Sequence, residues 1–313
     1  MNTSLTEHSI ENQYMIGMYG SLDEFKFKRD YRDSFYGIEA CLFENESDMD
    51  KLKQLADQYA LKIGVHFPLR AGKYSFRDAP ILAEHKELRD EAYRAIQQEL
   101  DYLSAYQPVH VLFHYPKPVI LDSHIDWSSW KFGDSSEYEY TNQTSITRIQ
   151  RLSKEWFEWI QLQGERYHFV PVMELDAWSS WFWKDYRWFL NLLDTYSNIR
   201  ICLDMQRLYL QQRIDPDFDV LNTIRKLAPY TYSIHLSNMQ YSANREILNR
   251  HQPVLPEQTI AAGWAPIDDY LKTIFSLNSN VKIMFEHRSE LISETDLERC
   301  YAYVRETIQA AQA

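Results

Sequence analysis

Four apolar runs each end in a side chain able to hold a divalent cation: Val172-Met173-Glu174, Ile201-Cys202-Leu203-Asp204, Tyr232-Ser233-Ile234-His235 and Ile283-Met284-Phe285-Glu286. A charge at the end of a buried strand is costly unless something above the sheet uses it. One such ending carries little information. Four in succession, spaced as strand-helix units, point to a metal site assembled from successive strands of a (β/α)8 barrel. Three carboxylates and one imidazole form a mixed oxygen and nitrogen set that suits Mn2+, Mg2+, Co2+ or Zn2+ and suits copper or an iron-sulfur cluster poorly. Taken singly, each residue is equally readable as a salt-bridged strand end.

The elements that must position these residues can be read along the chain. Eight short apolar or β-branched runs are expected as strands: Met15–Tyr19, Tyr36–Leu42, Lys62–His66, Val109–His114, Phe169–Glu174, Ile199–Asp204, Thr231–His235 and Val281–Glu286. Helical spacing separates them: Met49, Leu52, Leu55, Ala56 and Tyr59 share one face, as do Leu297, Cys300, Tyr301, Val304 and Ile308. Ser293 with Asp296 makes a capping pattern, and Asp215-Pro216 and Ala265-Pro266 place proline where a first helical turn tolerates it. Strands alternating with helices imply a parallel sheet. An open doubly wound sheet normally carries a glycine-rich phosphate turn, whereas this chain has 8 glycines and no GxGxxG. The expected fold class is therefore α/β, a single (β/α)8 barrel over residues 15–313 preceded by a polar arm over residues 1–14.

Three connections are too long or too aromatic for simple turns, and each follows a strand, the face on which barrels keep their sites. Lys117–Thr144 carries Trp127, Trp130, Phe132, Tyr138 and Tyr140. The stretch from Trp178 to Trp188 adds Trp181 and Trp183, and Ser237–Gly263 carries Asn238, Arg245, Arg250 and His251. Trp181, Trp183 and Trp188 are readable as the packed start of a helix, while Trp178 and Asn238 are expected to face substrate. Aromatic rings on such loops stack on sugar faces or exclude water.

Composition limits the remaining readings. The chain has 313 residues, 45% hydrophobic and 25% charged, enough for one large core. Its net charge of -12 disfavours a nucleic-acid partner, since no long basic run opposes it. No apolar stretch approaches the ~20 residues of a membrane span, and the first residues lack a signal-peptide pattern, so a cytoplasmic location is expected. The three cysteines, Cys41, Cys202 and Cys300, are read as packed hydrophobes.

On these strand-end residues the chain resembles the xylose-isomerase-like TIM barrels, which include sugar isomerases, ketohexose 3-epimerases, inosose and dehydroshikimate dehydratases and metal-dependent apurinic endonucleases. Glu, Asp, His, Glu on strands five to eight is the superfamily's ligand order, and the resemblance spans the chain from Met15 onward. It implies that Glu174, Asp204, His235 and Glu286 are metal ligands. It also implies that Glu174 and Glu286 flank the metal as catalytic base and acid. His66, in Gly64-Val65-His66-Phe67-Pro68, and His114, in Leu112-Phe113-His114-Tyr115-Pro116, correspond either to ligands of a second metal sharing Glu174 or to substrate contacts. Glu39 is expected as a supporting carboxylate and His110 as a deeper structural histidine, and His251 resembles a histidine that some members present from the seventh loop.

One departure bears on function. The superfamily commonly has Asp-x-x-His on the sixth strand, whereas Asp204-Met205-Gln206-Arg207 puts arginine at the last position. Arginine cannot lose its proton to bind a cation, but its fork grips carboxylate or phosphate. Arg207 is thus expected to bind an anionic part of the substrate, with Arg70 and Lys117 nearby, unless it turns to a neighbouring carboxylate. The activity implied is isomerisation or epimerisation of a sugar, sugar phosphate or polyol acid; dehydration uses the same proton abstraction. Phosphodiester hydrolysis is disfavoured by the acidic surface and Arg207, and a non-catalytic binding barrel is the remaining alternative. A homo-oligomer is left open.

Overall fold

The computed structural model describes residues 10–313. Eight parallel strands close into a barrel: β1 (Tyr14–Tyr19), β2 (Gly37–Phe43), β3 (Lys62–Arg70), β4 (His110–Tyr115), β5 (Val170–Leu175), β6 (Arg200–Asp204), β7 (Thr231–Leu236) and β8 (Lys282–Phe285). Pairing of Tyr14 with Ile283 brings β1 against β8 and closes it. The strands lie where the sequence places them, except that β3 runs past His66 to Arg70. Of the arm read over residues 1–14, residues 1–9 lie outside the described residues. Ile10–Gln13 form a 3-10 turn with Ile10 buried, and Tyr14 already belongs to β1.

Side chains alternate across the pleat with period two, so each strand feeds the barrel interior with every second residue. Leu112, Val172 and Cys202 pack together as an apolar layer inside the barrel. Two residues further along the same strands come His114, Glu174 and Asp204. The register sets His114 opposite Glu174 and Asp204 opposite His235. The polar layer at the carboxyl ends thus stands on an apolar floor.

The helices cover the outside. Helix Ile146–Tyr167 buries Ile149, Leu152, Trp156, Phe157 and Ile160, and helix Glu294–Gln312 buries Leu297, Cys300, Tyr301, Val304 and Ile308. The latter begins as its capping pattern requires, with Ser293 accepting from the Asp296 amide at 3.1 Å. Asp215-Pro216 behaves differently from its reading. Asp215 ends helix Met205–Ile214, and the next helix, Val220–Leu227, starts only after Pro216, with Asp219 as its cap. All three cysteines are free, with Cys202 and Cys300 buried. No helix among the described residues is long and apolar enough to cross a membrane.

The long connections have structure of their own. In the first, Val119–Leu121 pairs with Tyr138–Tyr140, and Trp127 and Trp130 are buried. The third folds into a hairpin, Asn238–Tyr241 against Ile247–Gln252, which returns His251 to the barrel mouth.

Candidate metal centre

A cavity of about 1030 Å3 opens at the carboxyl ends of the strands, lined by Glu39, His66, His114, Glu174, Arg207, His235, His251 and Glu286 among others. Glu174 and His235 line it, and together with the buried Asp204 they offer ligand atoms that all lie within 4.8 Å of one another. A second group, His66, His114 and Glu174, shares the glutamate, and a third joins Asp78, His114 and Asp176. Glu286 follows β8 directly and lines the same cavity, but it belongs to none of these groups.

The chain orients each donor. Asp204 caps helix Met205–Ile214: its Oδ1 accepts from the amides of Gln206 at 2.7 Å and Arg207 at 3.1 Å, and its Oδ2 accepts from Arg207 Nε at 3.2 Å. His235 Nε2 lies 3.0 Å from Glu39 Oε1, and Glu39 Oε2 lies 2.7 Å from His110 Nε2. With its proton assigned to Nε2 toward Glu39, His235 presents Nδ1 to Glu174 Oε2, 3.6 Å away. His66 Nδ1 lies 3.0 Å from the Phe67 carbonyl and His114 Nδ1 lies 2.9 Å from Asp78, so both rings turn Nε2 inward. These two Nε2 atoms stand 3.2 Å apart, at 3.2 and 3.3 Å from Glu174 Oε2. The His110 ring fits only because β3 has glycine opposite it: a Cβ on Gly64 would come within 2.1 Å of His110 Cε1.

Burial and charge push the two glutamates apart. Burial alone would raise Glu174, but the charges of His114, Arg207 and His235 outweigh it and hold the carboxyl well below the usual range. Glu286 is raised, first by burial and then by the charge of Asp204. The donor set fits a divalent cation. His235 Nδ1 is buried without a hydrogen-bond partner, and so is Glu286 Oε2. Such orphaned groups are rare in a settled interior.

The other residues singled out from the sequence are placed as follows. Arg207 turns to carboxylates: Nε lies 3.0 Å from Glu174 Oε1 and 3.2 Å from Asp204 Oδ2, and the guanidinium donates to Asp176. His251 lines the cavity, its Nδ1 3.0 Å from Gln206 Nε2. Trp178 is not brought to the cavity. It is 2% exposed and stacks on Phe182 with ring centres 5.5 Å apart, because a connection this aromatic must bury its own rings. Asn238 is buried in the hairpin base and donates to Gln258 at 2.9 Å. Arg70 is committed to Glu99 at 2.8 Å and to the Tyr102 ring.

Three neighbours of the centre escaped the sequence reading. Asp176 follows Glu174 by two residues, so the strand's period pointed to it. Gln206, which donates to Ser237 and contacts His251, sits inside the Asp204–Arg207 turn. Asp78 lies in a loop, and nothing local in the sequence marks it.

His287, one residue beyond Glu286, is buried against Phe285 and Tyr301 without a partner for either nitrogen. Burial, then the charges of Lys26 and Arg29, push its pKa down to about 3. The unfolded chain takes up this proton near about pH 6.5, the folded one only near pH 3, so its contribution is full above the first value and lost as pH falls toward the second. Denaturant titrations between about pH 6.5 and 4.5 are expected to show the parent losing about 1.4 kcal/mol more per pH unit than His287→Phe. Parallel pH profiles for the two proteins would remove His287 from this role.

No protein-family model matches the chain, and no curated protein matches it. Solved structures do. A D-tagatose 3-epimerase-like protein superposes with a TM-score of 0.62 at 13% identity, covering 95% of this chain and 99% of that one. The TTHB071 protein from Thermus thermophilus, soaked with zinc chloride, gives 0.61 at 15% identity over 96% and 100%. A xylose isomerase-like TIM barrel protein from Mycobacterium smegmatis in complex with magnesium gives 0.55 at 11% identity over 92% and 89%. The fold of this chain is thus that of the xylose isomerase-like TIM barrels.

Proposed function

We propose that this protein is a divalent-cation-dependent isomerase or epimerase of a sugar or related polyhydroxy compound, exchanging a proton on the carbon next to a carbonyl. The observation that carries the reading is the convergence of Glu174, Asp204 and His235 within 4.8 Å, two of them lining the large cavity, with the unpartnered carboxylate of Glu286 lining the same space. Glu174, Asp204 and His235 would hold the cation, which supplies polarisation of a carbonyl and so acidifies the neighbouring C–H. Mn2+, Mg2+, Co2+ and Zn2+ all suit this donor set.

The chain's own groups do the rest. Glu174, kept ionised by its cationic neighbours, would accept the substrate proton. Glu286, which keeps its proton to higher pH than an ordinary glutamate, would return one. His66 and His114 offer Nε2 toward substrate hydroxyls or a second ion. Tyr19 and Phe25, 75% and 88% exposed at the cavity rim, give a sugar ring apolar faces to stack on.

Incubation of the cation-loaded protein in D2O with a panel of ketoses and aldoses tests the reading. Deuterium is expected on a carbon beside the carbonyl of at least one substrate. No incorporation into any of them by protein with bound cation would contradict it.

The contact of Glu39 with His235 fixes the ring that faces the cation site. Glu39→Gln is therefore expected to weaken Mn2+ binding about 10- to 100-fold in calorimetric titration, as loss of an orienting partner commonly does. Unchanged affinity would leave Glu39 as packing support alone.

A further inference from the structure

Two permanent cations already stand among the carboxylates of this centre. Lys117 Nζ lies 2.8 Å from Asp78 Oδ2 and 2.6 Å from Asp176 Oδ2, inside the group formed by Asp78, His114 and Asp176. Arg207 occupies the neighbouring group. Its Nε bridges Glu174 Oε1 at 3.0 Å and Asp204 Oδ2 at 3.2 Å, two of the three residues that converge for the cation. Its remaining nitrogens reach Asp176 and, at 3.3 Å, His114 Nε2.

The local geometry explains how it gets there. Asp204 ends β6 and caps the following helix, so the residue three positions on, in the first helical turn, lies above the same carboxylate. A cation bonded to both Glu174 and Asp204, at about 2.0 to 2.6 Å from their oxygens, would take the space into which the Arg207 Nε–H now points. The two positive groups repel strongly at that separation, and the guanidinium cannot shed its charge. It can only move. Its side chain is 28% exposed to the cavity and keeps a separate anchor in Asp176.

We propose that Arg207 is a built-in counter-cation of the metal centre: in the cation-free protein it neutralises Glu174 and Asp204, and cation loading requires it to release both and retain Asp176. The inference rests on the cation-dependent reading above and adds to it a cost of loading set by this chain's own residue. Cation affinity is therefore lower than the donor set alone would give, and the cation-free centre is more stable than a cluster of bare carboxylates.

Calorimetric titration with Mn2+, and thermal melts with and without Mn2+, on the parent and Arg207→Gln decide the matter. The variant is expected to bind Mn2+ at least about tenfold more tightly, because the competing charge is gone. It is also expected to melt lower than the parent when cation-free, and to regain the difference when loaded. Equal or weaker Mn2+ binding by the variant overturns the counter-cation role while leaving the cation-dependent reading in place. Absence of Mn2+ binding by both proteins overturns the reading itself, and the role with it. Should Arg207→Gln fail to fold in either condition, Arg207→Met replaces it, since it removes the charge and keeps much of the volume; tighter Mn2+ binding supports the proposal, and unchanged or weaker binding overturns it.

Discussion

Glu286→Gln is expected to reduce proton exchange by about 100-fold or more while cation binding stays close to that of the parent. The amide keeps the size of the carboxylate and an oxygen facing the cavity, but it can neither take nor return a proton. Folding should survive, because the substitution removes a buried charge that Asp204 already repels. Deuterium exchange rates and Mn2+ titrations on the same preparations give the two readouts. Exchange within about tenfold of the parent would remove Glu286 from the proton path, and parallel loss of exchange and of cation binding would make it a ligand rather than an acid.

Lys117→Met is expected to cost about 3 to 5 kcal/mol of stability, the usual consequence of stripping one partner from a buried ion pair. Lys117 is 1% exposed and stands between Asp78 and Asp176, so methionine fills the volume but leaves two buried carboxylates facing each other. Arg207 still offsets Asp176, whereas Asp78 keeps only His114 and the more distant, half-exposed Arg77. Adding Asp78→Asn to the variant should therefore recover part of the loss. Denaturant unfolding of the two variants checks this: a cost under about 1 kcal/mol for Lys117→Met, or a simple sum for the pair, would mean that water already compensates these carboxylates.

The barrel and the floor of the centre were legible because both follow from local rules. A charge ending an apolar run marks a strand's carboxyl end, and the period of two then brings Glu174, Asp204 and His235 to one face above the Leu112, Val172 and Cys202 layer. What was not legible depends on contacts distant in sequence. Trp178 and Asn238 have the right chemistry for sugar contact, but the long connections carrying them bury their own aromatic rings and hairpin base, which spacing does not reveal. Asp215-Pro216 has the composition of a helix start and serves as a helix end, because the chain turns there before Asp219 caps the next helix. Asp78 reaches His114 and Lys117 from a loop in which no periodicity operates. For Arg207 both directions were open in the sequence, and the carboxylates of Glu174, Asp204 and Asp176 decide for the inward one.

The central claim, that strand-end residues of β5, β6 and β7 form a cation site, is tested most directly by calorimetric titration of chelator-treated protein with Mn2+ beside the double variant Glu174→Gln, Asp204→Asn. Saturable uptake of about one ion by the parent, abolished in the variant, is the predicted result. No saturable uptake by the parent, or the same uptake by both proteins, would contradict the account.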